Sequence, residues 1–520
     1  MIVSVIGHKD DANAEITAIV KDFGIVDTFS NEALKEADDV AIPITESDIK
    51  FNGFERVDLR DKFFITIDGE DTKDIDDAIC LEKIDENNSI LYVSIADVTH
   101  YVKENGNLDR EALSRGNSVY LLDRVIPMLP HVLSNGMCSL NPNEDRLSLT
   151  CEMSFSKNGE VKLHKVYESI IRSKRRMTYT EVQALYDAAT PASTKLMDND
   201  KDNSELIDML MNMLDLSRKI RNLREKRGAV NFDLKETVIE VDKDLKPINI
   251  SEKVRIEAYK LIEDFMVSAN ESVASEFFYR EVPFLYRTHE EPDKEKMIAL
   301  SNTLSSLGVP FHLKETILPK DIQNLMKEVE GKPCQYAVER LTLRSMAQAR
   351  YTKKPIGHFA LASKYYTHFT SPIRRYNDLQ IHRIIKEVLE NRFSDKRKEY
   401  FDNILDDVAM RISKTERLAV DCERDIEDLK KCEYMEKFLG EEYEGVISGL
   451  TNFGIFVELP NTIEGMVPLR DITDDHYDLD EEKYQIVGNR TKKVFKFGDK
   501  VKVKLVKVSK ELRAIDFVFV

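Results

Sequence analysis

Four aspartates lie within ten residues of this chain, between two apolar runs, and no other pattern constrains its fold as strongly. They are Asp68, Asp74, Asp76 and Asp77, and the apolar runs are residues 63–67 and 78–81. Both runs are typical of short buried strands, so we expect the acids to lie on a rigid sheet edge. The cluster is therefore the first place to look for chemistry.

Four like charges at this density repel one another unless a positive group lies among them. A hard divalent cation with oxygen ligands, above all Mg²⁺, is the natural candidate. A solvated acidic loop is the plainer alternative, because most charge runs are solvated. A calcium loop is a second alternative, although the sixth position counted from Asp71 is Asp76 and not glycine. The strand-like flanks favour a metal site.

Composition limits the class of protein. The 520 residues leave room for about three domains, and 42% hydrophobic with 33% charged residues is typical of a globular protein. No apolar run has the length of a membrane span, and the first twenty residues lack the order of a signal peptide. The six cysteines are scattered without a C-x-x-C pair, as reduced thiols of a cytoplasmic protein would be.

The net charge of −18 argues against a nucleic-acid partner only if the charge is spread evenly. It is not, because residues 490–513 hold ten Lys or Arg against two Asp or Glu. Further basic clusters occur at residues 172–176, at 218–227 and at Arg374-Arg375. A polyanion could follow these clusters while the acidic faces stay in solvent.

Strand-like patterns come first, at residues 91–95 and 147–155, and helical patterns follow, so we expect a mixed α+β core. The helical patterns cover residues 204–224, 254–278, 378–390 and 400–438. Beyond Gly440 the chain becomes strand-rich again, with turn signals spaced as in a small barrel. Residues 1–60 are mixed, with a short strand expected at 2–6 and a helix near 14–23.

A second informative stretch is residues 367–376. Ser371 followed by Pro372 predicts a helix start, which places Arg374 and Arg375 in the first turn. Cations are disfavoured at that end of a helix, so two arginines there indicate a bound anion such as phosphate. An ion pair with Asp378 is an equal alternative.

The aspartates and arginines together favour metal-assisted phosphodiester hydrolysis, in which carboxylates hold the metal and guanidinium groups neutralise phosphate oxygens. No Ser-His-Asp or Cys-His signature competes, and the chain has no phosphate-binding G-x-x-x-x-G-K-[ST] loop. Near the C-terminus, Phe453 and Phe456 flank a glycine, and His476 follows. Aromatic side chains beside basic strands are typical of single-strand nucleic-acid platforms, although barrel core is the alternative.

Several of these segments resemble the ribonuclease II superfamily. Residues 66–78 are similar to its catalytic signature, residues 118–142 to a second block, and residues 370–379 with His382 and Arg383 to a third. The resemblance implies three parts: a partial cold-shock-type OB remnant and linker (1–60), an α+β catalytic RNB domain (61–439) and an S1-type OB-fold barrel (440–520). Full-length members carry two cold-shock domains, of which residues 1–54 resemble only the end of the second. Whether this short N-terminal part is native is left open.

The resemblance also implies an activity: Mg²⁺-dependent, processive 3′→5′ hydrolysis of single-stranded RNA with a free 3′ end to nucleoside 5′-monophosphates. A catalytically inactive RNA-binding or scaffold protein on the same fold is the alternative, and a DNA nuclease is a weaker one. Partners in RNA decay or on the ribosome stay unidentified.

Residue roles carried over by position are expectations of the same kind. The four aspartates would form the metal and catalytic cluster, and Arg374 would stabilise the charged phosphate. Tyr120 and Phe232 would clamp the stacked 3′ bases, and Glu423 would contact the terminal nucleotides. The remaining expected RNA contacts are Tyr179, Glu263, Arg375, Phe453, Phe456 and His476.

Overall fold

The segment before the aspartates folds as helices and short strands that pack on the rest of the chain. The computed structural model describes residues 6–7, 12–51, 54–188, 201–232, 235–332, 334–480 and 484–520. The first elements are α1 (Ala12–Asp22), α2 (Asn31–Val40), α3 (Glu46–Ile49), β1 (Lys50–Phe51) and β2 (Phe54–Glu55). The helix predicted near residues 14–23 is confirmed as α1. The strand predicted at 2–6 lies outside the described residues except for Ile6.

A seven-stranded mixed sheet forms the centre of the molecule, in the order β11-β4-β5-β6-β9-β10-β3. Strands up to β11 are β3 (Val57–Asp58), β4 (Ile65–Asp68), β5 (Asp77–Lys83), β6 (Asn88–Ala96), β7 (Val119–Tyr120), β8 (Val125–Ile126), β9 (Asp145–Ser156), β10 (Val161–Arg172) and β11 (Arg175–Thr178). Neighbours are antiparallel except β4 with β11 and β3 with β10, which are parallel. The strands predicted at residues 91–95 and 147–155 are confirmed as parts of β6 and β9.

The connections between these strands also carry structure. They hold α4 (Val98–Tyr101), α5 (Asn107–Arg115) and a π-helical turn over Val132–Met137. The β7–β8 hairpin stands apart from the sheet as a two-stranded unit. It carries Tyr120, which places this residue on a rigid support near the sheet edge.

Helices dominate the middle of the chain. They are α6 (Tyr179–Ala188), α7 (Lys201–Arg227), α8 (Glu257–Tyr279), α9 (Lys294–Ser306), α10 (Pro319–Val329), α11 (Gln335–Ser345), α12 (Tyr376–Leu389) and α13 (Asp395–Met435). Among them lie two small antiparallel sheets of two strands each. One is the hairpin of β12 (Thr237–Val241) with β13 (Pro247–Glu252), and the other pairs β14 (Tyr286–Thr288) with β15 (Arg350–Thr352) across α9, α10 and α11. The four predicted helices are confirmed as α7, α8, α12 and α13.

The main core lies between the central sheet and these helices. Side chains such as Val93 and Leu149 from the sheet, Phe265 from α8 and Ile381 from α12 are fully buried in one cluster. Burial of each such side chain is worth on the order of 1.5–3 kcal/mol before entropy is counted. The sheet is therefore a fixed platform for the residues at its edge.

A buried ion network joins α12 to this platform. Arg56 lies 2.7 Å from a carboxylate oxygen of Asp97 and 2.8 Å from one of Glu168. Lys386, on α12, lies 2.6 Å from Asp97 and 3.4 Å from Glu168. Removal of one member would leave a buried charge unpaired, which typically costs about 3–5 kcal/mol. The network therefore fixes α12, and the turn that precedes it, against the sheet.

A closed five-stranded barrel completes the fold, in the order β16-β17-β18-β23-β22. The C-terminal strands are β16 (Glu442–Leu450), β17 (Gly454–Glu458), β18 (Glu464–Pro468), β19 (Tyr477–Asp480), β20 (Gln485–Gly488), β21 (Val494–Lys496), β22 (Lys500–Ser509) and β23 (Ala514–Phe519). Five strands closing as a barrel are typical of an OB-fold. The predicted α+β fold class with a C-terminal β-barrel is thereby confirmed.

The barrel is attached to the helical part at defined points. After α13 a 3-10 turn (Glu436–Phe438) leads to Gly440, whose φ of +92° suits glycine at the end of a helix. Arg340 on α11 lies 3.1 Å from Glu458 and 2.6 Å from Glu464 of the barrel. Within the described ranges, no helix combines the length and the apolar character that a membrane span requires.

Candidate active site

The four aspartates converge at one end of two neighbouring strands. β4 ends at Asp68 and β5 begins at Asp77, and Asp74 and Asp76 lie in the loop between them. All four line a single cavity of about 1180 Å³. The apolar runs on either side become buried strand residues, as the sequence predicts.

Backbone hydrogen bonds to Ser139 hold the second half of this loop. The Ser139 hydroxyl donates to the carbonyl of Lys73 (2.8 Å) and accepts from the amide of Ile75 (3.1 Å). The next amide, of Leu140, donates to the carbonyl of Ile75 (3.0 Å). The guanidinium of Arg146 donates in turn to the carbonyl of Ser139 (2.8 Å). The positions of Asp74 and Asp76 therefore depend on a serine for which the sequence predicted no role.

Asp68, Asp76 and Asp77 are held in a setting that disfavours their charged forms. Burial raises the pKa of Asp76 well above its usual range. Burial and then repulsion by Asp77 raise the pKa of Asp68 to about 8. Burial also raises the pKa of Asp77 to about 6. Positive charge brought among these carboxyl groups would favour their ionised forms and lower their pKa values again.

The donor set of the cluster fits a hard divalent cation. Asp68 Oδ2 and Asp76 Oδ2 are buried and have no hydrogen-bond partner among the described residues. Within the same described ranges, no three His, Cys, Asp or Glu side chains converge closely enough to enclose a metal ion alone. Mg²⁺ usually keeps water ligands and takes one or two carboxylates beside substrate phosphates. The open arrangement therefore suits an ion shared with a phosphate better than a closed protein cage.

Arg374 faces the cluster from a tight turn. Its Nε lies 3.4 Å from Asp76 Oδ2, its Nη2 donates to the Ser371 hydroxyl (3.0 Å), and its side chain is 43% exposed. The backbone amide of Ile373 donates to Asp76 Oδ1 (2.8 Å). The turn and the aspartate cluster are thus bonded directly to each other, and the Arg374 guanidinium remains open to the cavity.

The helix start predicted at Ser371 is wrong. α12 begins at Tyr376, and residues 372–374 form a turn instead. The backbone is extended at Arg375, which forms a bridge to Asn117. The carboxylate of Asp378 accepts from the Ser371 amide (2.7 Å) and from Arg375 Nη2 (2.8 Å). The Asp378 ion pair therefore belongs to Arg375, which is largely buried in the cavity wall, whereas Arg374 pairs with Asp76.

Tyr120 lies across the aspartates. Its hydroxyl donates to Asp74 Oδ2 (2.9 Å), and its backbone amide donates to the carboxylate of Glu423 (2.8 Å). Tyr120 is 41% exposed, so its ring can contact a bound base. Burial raises the pKa of Glu423, which comes from α13. The structure therefore brings Tyr120 to the aspartate cluster and places Glu423 against the backbone of Tyr120.

The opposite wall of the cavity carries Tyr179 and Glu263. Tyr179 follows directly on β11, and its ring centroid lies 4.4 Å from that of Tyr259. Glu263, on α8, lies 3.5 Å from Arg224 and is more than half exposed. Phe232 does not line this cavity and packs, partly buried, against the hydrophobic cluster that α9, α10 and α11 form with the barrel. Its part in stacking remains a prediction.

A second groove of about 510 Å³ lies between the barrel and the helical part. Phe453 is 57% exposed in this groove, and its ring centroid is 6.2 Å from that of Phe456. The neighbours of Phe456 on β17, Ile455 and Val457, are fully buried, so Phe456 faces outward from the barrel core. His476 is exposed elsewhere, 3.5 Å from Asp478, and does not line the groove.

The sequence of the chain matches two family models. Residues 56–391 match the RNB domain, and residues 436–518 match the S1 RNA binding domain. Ribonuclease R of Thermotoga maritima is 41% identical, over all of this chain and 72% of that protein. Ribonuclease R 1 of Lactococcus lactis is 39% identical, over 99% of this chain and 62% of that protein.

The fold also matches a solved structure of a ribonuclease R. Mycoplasma genitalium RNase R, in complex with a ribose-methylated single-stranded RNA, superposes with a TM-score of 0.93 at 33% identity. The match covers 99% of this chain and 79% of that one. The family expected from the sequence motifs is confirmed. The chain therefore belongs to the RNB family of 3′→5′ exoribonucleases, with ribonuclease R enzymes among its relatives.

Proposed function

We propose that this chain hydrolyses single-stranded RNA processively from a free 3′ end, with Mg²⁺, and releases nucleoside 5′-monophosphates. One observation supports this most: four aspartates and Arg374 share one cavity, and two buried carboxylate oxygens there have no hydrogen-bond partner in the part of the chain that the structure describes. We also propose the division into residues 1–60, 61–439 and 440–520, with the last part as an RNA-binding barrel.

The cavity residues divide the chemical work. Asp68, Asp74, Asp76 and Asp77 would hold Mg²⁺. When bound, the ion would stabilise charge at the phosphate and lower the pKa of a water molecule. Arg374, partly exposed beside Asp76, neutralises charge that develops on the phosphate oxygens. Tyr120 and Glu423 orient the last nucleotide so that the scissile bond faces the cluster.

The remaining walls bind the RNA chain. Tyr179 and Glu263 present a hydroxyl and a carboxylate to the cavity, where a ribose 2′-hydroxyl could bond to them. The exposed rings of Phe453 and Phe456 give a stacking surface farther along the strand. Contacts with the sugar and the stacked bases, and not with base edges, would make degradation independent of sequence.

A 5′-labelled RNA of about 20 nucleotides tests the activity. With Mg²⁺ we expect the label to appear in a short end fragment and unlabelled nucleoside 5′-monophosphates to be released. In EDTA we expect the RNA to remain intact. An excess of unlabelled competitor added after binding should not release partly shortened intermediates if the reaction is processive.

Three results would contradict the proposal. Persistence of intact RNA that still binds would favour the catalytically inactive RNA-binding protein. Internal cuts would exclude an exonuclease, and equal loss of single-stranded DNA of the same sequence would favour a DNA nuclease. A hairpin with a 3′ overhang then reports whether digestion stops at the stem.

A further inference from the structure

Arg176 contacts the aspartate loop from the side opposite Ser139. It lies on β11, which pairs in parallel with β4 so that Arg176 is opposite Thr66 and Thr178 is opposite Asp68. Its Nη2 lies 3.2 Å, 3.0 Å and 2.6 Å from the carbonyl oxygens of Gly69, Glu70 and Thr72. One guanidinium nitrogen therefore lies within hydrogen-bond distance of three carbonyl oxygens in the loop that follows β4.

The strands alone do not fix this loop. β4 and β5 are paired only at Ile65 with Ile79, well before the strand ends that carry the acids. Between Asp68 and Asp74, the loop has one backbone hydrogen bond of its own among those described, from the Thr72 amide to the Gly69 carbonyl (3.2 Å). Side-chain anchors must then set the distance between Asp68 and the other acids.

We infer that Arg176 is a positioning residue of the active site: it holds residues 69–72 so that Asp68 stands at the right separation from Asp74, Asp76 and Asp77. This inference rests on the proposed function, because the separation matters for a shared cation. A hydrogen bond from a charged donor is stronger than one from a neutral donor, so the guanidinium is an effective anchor for the carbonyl groups. A misplacement of about 1 Å in such a site can cost about 10²-fold in rate.

A different role for Arg176 is a direct contact to RNA phosphate, since it belongs to the basic cluster at residues 172–176. The two roles differ in what they affect. A phosphate contact acts on RNA affinity, whereas a positioning residue acts on metal binding and turnover at nearly constant RNA affinity. The hydrogen bonds of Nη2 to three backbone carbonyls favour positioning.

Arg176→Met tests the inference, with Lys162→Met as the control, at an exposed position of β10 in the same sheet and outside the basic cluster at residues 172–176. We measure Mn²⁺ binding to the RNA-free protein by electron paramagnetic resonance, RNA Kd in EDTA, and kcat and KM with Mg²⁺. For Arg176→Met we expect several-fold weaker Mn²⁺ binding, kcat lower by about 10²-fold, and little change in RNA Kd. For the control we expect wild-type values.

Weaker RNA binding in Arg176→Met with unchanged Mn²⁺ affinity would overturn the inference in favour of a phosphate contact, and wild-type values throughout would overturn it outright. If that variant does not fold, Arg176→Lys decides, because its ammonium keeps the charge but reaches less far. Reduced Mn²⁺ affinity and kcat at a native Tm would support positioning, and wild-type values would overturn it. Absence of Mg²⁺-dependent exonuclease activity in the wild type would contradict the proposed function, while the Mn²⁺ titration still tests Arg176.

Discussion

The two carboxylate oxygens of Asp76 have different contacts. Oδ1 accepts the Ile373 amide, and Oδ2 is buried 3.4 Å from Arg374 without a hydrogen bond. The first oxygen fixes the turn that carries Arg374, and the second is left for chemistry. A substitution that keeps the shape of the side chain can therefore separate structure from catalysis.

We predict that Asp76→Asn loses turnover while RNA still binds. The amide keeps an oxygen for the Ile373 amide but removes the negative charge, so kcat should fall by at least about 10²-fold, as for loss of one strong transition-state contact. Single-turnover rates and RNA Kd in EDTA measure the two effects. Asp61→Asn, at an exposed position outside the cavity, is the control. Unchanged turnover in Asp76→Asn would refute its assigned role.

Tyr120 combines a ring and a hydroxyl with different tasks, and two variants distinguish them. We predict that Tyr120→Ala weakens RNA binding by about 1–3 kcal/mol, the usual loss of one base–aromatic stack. Tyr120→Phe should keep RNA affinity but strengthen Mn²⁺ binding, because Asp74 Oδ2 loses a competing hydrogen-bond donor. Fluorescence anisotropy and Mn²⁺ titration measure both. Equal RNA affinity of the two variants would exclude stacking by this ring.

At the scale of single residues, the sequence predicts the candidate catalytic residues better than the residues that hold them in place. The aspartates stand out because four of them fall in ten residues, and Arg374 because it follows a recognisable Ser-Pro pair. Ser139 and Arg176 act through backbone groups that are distant in sequence, so no local pattern indicates their roles. In the sequence, Ser139 belongs only to the motif block at residues 118–142, and Arg176 only to the basic cluster at residues 172–176.

Among the elements, α7, α8, α12 and α13 were predictable because each keeps an apolar face at helical period over three or more turns. The start of α12 was not. Asp378 and Asp76 accept hydrogen bonds from the amides of Ser371 and Ile373. A side chain from the first turn of α12 and one from the loop between β4 and β5 therefore replace the expected helical pattern. Tertiary hydrogen bonds of this kind override the local preference of a Ser-Pro pair.

The loop between β4 and β5 should make stability depend on pH in a metal-sensitive way. The pKa values of Asp77 (about 6) and Asp68 (about 8) exceed the ordinary 3.8, so the folded protein binds more protons than the unfolded chain. Their contribution to stability is present at low pH and is lost as pH rises through 6 and 8. We predict that metal-free Tm falls over this window.

Mg²⁺ should reverse this trend, because its ligands must be deprotonated. We expect the rise in Tm on adding Mg²⁺ to be larger at pH 8.5 than at pH 5.5, measured by differential scanning calorimetry. NaCl at matched ionic strength is the control. A Mg²⁺ effect of the same size at both pH values would contradict the pKa assignment.

The whole molecule places a barrel beside a catalytic cavity, and the sequence indicated this division through its change from helical to strand-rich pattern at Gly440. The closure of the barrel and its ion pairs with Arg340 were not predictable, because they join positions far apart in sequence, and Arg340 lies more than a hundred residues before Glu458 and Glu464. The groove forms only when the barrel packs against the helical part, so residues from both parts line it.

We predict that Phe453→Ala weakens binding of long RNA by about 1–3 kcal/mol, the cost of one lost stack, and leaves very short RNA unaffected. The ring is exposed in the groove, so Tm should hardly change. Kd measured against RNA length tests this. Val494→Ala, an exposed apolar site on the separate sheet of β21, is the control. Equal losses for short and long RNA would contradict a remote binding site.

α13 runs for 41 residues, or about 60 Å, and touches both places at once. Glu423 holds the Tyr120 amide beside the acids, and two residues later Asp425 lies 3.5 Å from Arg513 of the barrel. These two contacts lie within one turn of α13, which therefore fixes the barrel relative to the acids. As a strand shortens, its far end must at some fixed number of nucleotides slip off the barrel, and a stub of constant length should be left behind.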